Sequence, residues 1–110
     1  MAREFPEADW KVLRKVREVA LERFCAKILD EIKSASSDAD KSFHERYLSV
    51  WRLLQERDKQ LGDAFNNPRR SQAFGQLVMM CSLGILEEQE LQRFSPATRD
   101  LIRVLMGSTH

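Results

Sequence analysis

The sequence predicts an all-α fold: a compact helical bundle of two long antiparallel helices, an apolar third helix and two short C-terminal helices. Three observations carry this expectation. Apolar residues recur at spacings of three and four over long windows, the period of one helix face. Leu, Glu, Arg, Lys, Ala and Gln, which lose least entropy in a helix, far outnumber β-branched residues. The three prolines and two of the four glycines fall where the periodic segments break.

The first helix is expected after Pro6, from Ala8 or Asp9 to about Ser34, with Trp10, Leu13, Val16, Ala20, Phe24, Ile28 and Ile32 inward. The polar run at 34–40 is the one clear loop, because its Ser and Asp side chains compete for backbone hydrogen bonds. Ser42 and Glu45 have the S-x-x-E spacing of a capping box and open the second helix. Phe43, Tyr47, Val50, Trp51, Leu54, Leu61 and Phe65 share one face of it. Asn67 as N-cap and Pro68 at the first helical position predict a third helix running to about Leu83. Gly84 then serves as the left-handed residue of a Schellman motif, with Ile85 making its contact. A short fourth helix over 87–93 follows, its acids stabilised at a helix N-terminus. Ser95–Pro96 repeats the cap-then-proline signal and starts a fifth helix to about Met106. Residues 1–110 read as one domain, with 1–7 and 107–110 as flexible tails.

Eighteen basic and 17 acidic residues leave a net charge of +1, so no long-range field steers the chain toward nucleic acid or an anionic membrane. Cys25 and Cys81 lie in apolar helical runs and read as buried free thiols of a reducing compartment. No secretory leader and no membrane-length apolar run is visible, so the expected location is cytoplasmic.

Two features point to a partner surface. On the first helix, Val12, Leu13, Val16, Val19 and Ala20 centre on one direction; Leu21, Phe24, Cys25, Ile28 and Ile32 centre roughly a third of a turn away at about 100° per residue. Either the helix crosses two neighbours of its own bundle, or one half packs on another molecule. The second feature is the absence of charge over 71–86. A helix apolar nearly all round must be surrounded, either wrapped by the chain's own helices or covered in part by another subunit. Phe74, Leu77, Val78, Met79, Met80 and Leu83 are therefore the candidate interface of a homodimer, the commonest symmetric assembly.

Chemistry-bearing residues are few. Asp58 falls within the apolar arc of the second helix, and a structural ion pair with Arg57, Arg69 or Arg70 is its expected role. His44 lies in the first turn of that helix and His110 at the chain end, with no metal spacing to Cys, His or Asp. Glu87, Glu88 and Glu90 read as a helix start rather than paired catalytic carboxylates. A helix-turn-helix through Gly84 would place those acids on phosphate, which repels them. The basic group Lys11, Arg14, Lys15 and Arg17 is followed at once by Glu18 and Glu22. No catalytic, cofactor or metal site and no small-molecule ligand is expected. The expected function is a non-enzymatic protein–protein interaction or assembly module. A nucleic-acid-associated regulator using the basic face of the first helix is the alternative, and an enzyme built around Asp58 comes last.

Overall fold

A computed structural model describes residues 5–67 and 69–107. Among these, five α-helices follow in order, with no strand: α1 (Glu7–Ser36), α2 (Phe43–Phe65), α3 (Ala73–Ser82), α4 (Glu88–Leu91) and α5 (Pro96–Gly107). A single 3₁₀ turn, Arg70–Gln72, leads into α3. The all-α class is as the periodicity implies.

Local chemistry sets most boundaries. Ser42 Oγ accepts from the Glu45 N–H at 3.1 Å while Glu45 accepts from the Ser42 N–H at 2.9 Å, closing the expected capping box. Gly84 takes φ 69°, and the N–H groups of Gly84 and Ile85 donate to the carbonyls of Cys81 and Met80. That is the full Schellman pair. The start of the third helix differs from expectation. Asn67 adopts φ 48°, in the left-handed region, whereas an N-cap is extended, so it turns the chain instead of capping it. Pro68 lies outside the described residues, and α3 begins only at Ala73.

Residues 5–7, expected to be flexible, are held against the head, and residues 1–4 lie outside the described residues. Phe5 is 1% exposed and meets Phe74 edge-on at 4.8 Å and Phe94 at 6.5 Å. Arg70 donates to the Phe5 carbonyl and pairs with Glu7, holding the chain against the core before α1 begins. At the other end Gly107 is still helical; residues 108–110, including His110, lie outside the described residues.

The molecule is a head with an arm, 53 Å long and about half as wide. In the head, α3 lies against α1, α2 and α5. Its residues pack with Phe5, Leu13, Ala20, Phe24, Phe65, Ile85, Phe94 and Ile102 in one core. The arm is what remains of α1 and α2 beyond α3. A helix of 30 residues is about 45 Å long, and α3, with 10, covers only a third of that length. Consequently α2 buries only Ala64 and Phe65, both in its last turn.

Arg23 joins α1 to the α3–α4 corner, donating to the Ile85 carbonyl at 2.7 Å and to both oxygens of Glu90 at 2.8 and 3.2 Å. Its hydrogen bonds hold the Glu90 carboxyl below the usual carboxylate range. Because the folded state prefers this group ionised, its contribution is complete above the ordinary value of 4.5 and disappears as the pH falls through the depressed one. Glu90→Gln should therefore lower stability at pH 7 by about 1 kcal/mol, a modest figure because water partly screens the pair. Urea denaturation at pH 7 and pH 3 checks this: the loss should be smaller in acid than at neutral pH.

Candidate functional site

Of the two ways to surround the apolar third helix, the chain's own helices supply most of the cover. Leu77 and Met80 are fully buried by the chain's own core and offer nothing to a partner. Phe74, Val78, Met79 and Leu83 are half-buried against the same core. The reason is local. The bend after α2 folds α3 back into the groove between α1 and α2, and α5 covers another side, so two long helices and one short one supply most of the cover.

The uncovered apolar surface lies on the arm. Phe43, Tyr47, Trp51 and Leu54 are 83, 63, 50 and 45% exposed. At about 100° per residue they fall within a quarter turn of one another. The same stripe continues to Leu61, which is half-buried, and to Phe65, which is buried in the head. One sequence pattern thus serves as core at one end of α2 and as open surface at the other. On α1, Leu29 is 66% exposed.

Between the two helices this surface sinks into a groove of about 330 Å³. Cys25, Ile28, Leu29 and Ile32 of α1 form one wall, and Leu54 and Leu61 of α2 the other, with Arg57 and Asp58 among the lining. Ile28 and Leu61 also touch the head core, so the groove is the continuation of the channel that α3 fills. The split stripe of α1 follows: Leu13, Val16 and Ala20 are buried, whereas Cys25, Ile28 and Ile32 beyond Phe24 are only half-buried. Val19, grouped with the first half, stands 48% exposed.

The expected Asp58 ion pair does not form. Asp58 is exposed and has no hydrogen-bond or ion-pair partner among the described residues. Consecutive helical residues point about 100° apart, so Arg57 is turned away from it. Arg57 instead bridges the arm, reaching Glu31 of α1 at 2.7 Å and Gln60 at 2.7 Å. Arg70 is committed to Glu7 and Phe5 at the opposite end of the head, and Arg69 lies beyond the same turn, exposed.

The buried acid is Asp9, 2% exposed. Its carboxylate accepts from the Ser95 N–H at 2.8 Å, the Ser95 hydroxyl at 2.7 Å and the Thr98 hydroxyl at 2.5 Å. It stands where the glutamate of a capping box would stand for α5, supplied from α1 across 86 residues of sequence. The signal for it is faint: Ser95 has Thr98, not an acid, three residues on. All three bonds anchor helices, and this is a structural clasp.

The remaining chemistry is sparse. Cys25 and Cys81 are free thiols, both half-buried. Burial pushes the Cys81 thiol up to about 11, which keeps it protonated. It lines a cleft of about 220 Å³ beside α5, with Leu86, Leu91, Ile102 and Arg99. Among the described residues no group of three or more His, Cys, Asp or Glu side chains is placed to hold a metal ion. No described helix is long and apolar enough to cross a membrane.

Comparison with protein-family models, curated proteins and solved structures finds no match.

Proposed function

We propose that this protein is a non-enzymatic protein-interaction module whose arm accepts an amphipathic helix in the α1–α2 groove. The carrying observation is the exposed run Phe43, Tyr47, Trp51 and Leu54 on the stripe that the head covers further along α2. A solvated helix face does not ordinarily present three aromatics in a row, and contiguous apolar patches of several hundred Å² mark interaction sites. The occupant's shape follows from α3, which already fills the proximal part of the channel as a helix. Helix-in-groove binding with anchors at three- and four-residue spacing is the matching mode.

The other readings have less beneath them. In the basic group of α1, Arg17 donates to the Phe65 carbonyl and Arg14 stacks over Trp10, which leaves Lys11 and Lys15 as a thin site for phosphate. Asp58 and Cys25 line the groove, but no imidazole or amine lines it with them to activate the thiol.

Cys25 makes the reading testable, since any helix seated in the groove covers it. In a Cys81→Ser background at sub-micromolar protein, reaction of Cys25 with a thiol reagent should slow at least tenfold on saturation with a stapled helical peptide of residues 42–61. The same peptide carrying Leu54→Glu should give no protection. A Cys25 rate unchanged by several hundred micromolar peptide would count against a helix-accepting groove.

A further inference from the structure

Building on that helix-docking reading, we infer that the occupant is the arm of a second copy of this chain, antiparallel, about a two-fold axis near Trp51. Area, charge and shape each favour it. Aromatic side chains bury about 150–250 Å² each, so the five exposed groups Phe43, Tyr47, Trp51, Leu54 and Leu29 present on the order of 600 Å² per copy. Two copies joined over this face would bury about 1,200 Å², the lower bound of stable interfaces. Such an isologous contact uses the same patch twice. It also joins two helix pairs into four, enclosing what a lone pair leaves open.

Charge sets the direction. His44 and Asp58 lie seven residues to either side of Trp51, two helical turns each way, and both are exposed on the stripe's side of α2. An antiparallel two-fold axis at Trp51 therefore brings His44 of each copy beside Asp58 of the other. That supplies a donor for the carboxylate that has no partner among the described residues of its own chain. A parallel pairing would set Asp58 against its own equivalent. Shape agrees, because α3 stands on the groove face at one end of the arm only. Parallel arms would bring head against head, whereas antiparallel arms place each tip beside the other head.

Sedimentation equilibrium from 1 to 100 µM tests the assembly. The expected mass rises with concentration to twice the 12.8 kDa of the chain at the top of that range. Trp51→Glu should give a folded monomer by circular dichroism, and Val104→Glu, on the exposed side of α5, should remain dimeric. For direction, His44→Cys and Asp58→Cys chains lacking Cys25 and Cys81 are treated with a short bis-maleimide. The mixed link should exceed either self-link about tenfold. A wild-type monomer at 100 µM, a dimer that survives Trp51→Glu, or dominant self-links would each overturn the inference. Monomeric protein whose Cys25 is still protected by the stapled peptide would sink the second copy alone. No protection, with a dimer indifferent to Trp51→Glu, would remove both readings.

Discussion

Asp9→Ala is expected to destabilise the protein by about 3 kcal/mol, because it strands the Ser95 N–H and the Thr98 hydroxyl and takes one of two acceptors from the Ser95 hydroxyl. Ser95, half-buried, loses the acceptor for its N–H and keeps only Thr98 Oγ1, at 3.2 Å, for its hydroxyl, while Thr98, 2% exposed, loses its hydroxyl's acceptor. The start of α5 is thereby uncoupled from the first turn of α1. At roughly 4–5 °C per kcal/mol for a chain of this size, the thermal midpoint should fall by about 15 °C. Asp9→Asn should cost less. Its one amide oxygen still accepts from the Ser95 N–H, and the two hydroxyls can rotate to accept from its NH₂. Thermal unfolding of both variants by circular dichroism gives the order. Equal, small losses would show that α5 holds its place by apolar contact alone.

Phe24→Ala is the second large effect, at about 3–5 kcal/mol, the usual cost of hollowing an aromatic site in a packed core. Phe24 is 0% exposed and lies where α1 passes from head to arm, so the cavity would open beneath the helix that joins them. Against a total stability of about 5–15 kcal/mol, that loss alone would leave a marginal fold. Phe43→Ala provides the contrast. Its ring is 83% exposed, with Arg46 stacked over it at 4.9 Å, and its removal should change monomer stability by less than about 0.5 kcal/mol. Urea denaturation of both variants at low micromolar concentration separates a core aromatic from a surface one. A comparable loss for both would mean that the arm is packed after all.

These pairs show how far the sequence could be read. Phe24 and Phe43 are both aromatics on the inward stripe of a predicted helix, and periodicity treats them alike. Only the length of α3, and the place where it folds back, makes one a core residue and the other bare. The same limit explains Leu77 and Met80. Their charge-free surroundings announced a helix that must be enclosed, and enclosure by the chain itself satisfies that demand as fully as a partner would. The unpartnered surface fell on α2, whose charged residues beside the stripe made it look like an ordinary amphipathic helix. Asp9 and Asp58 exchange roles for a related reason. Burial of a carboxylate depends on what arrives from far along the chain, and Ser95 and Thr98 arrive at Asp9 from 86 and 89 residues away.

What the sequence by itself determined is the local grammar: the helical class, the Ser42–Glu45 box, the Gly84 stop and the Ser95–Pro96 start. Each rests on atoms within five or six residues of one another, whose geometry a single turn of backbone imposes. What the tertiary structure alone decided is which apolar faces meet, because that depends on where helices of unequal length come to lie side by side. A short α3 beside two long helices leaves a channel half filled. The empty half is the surface on which the protein's function is proposed to rest.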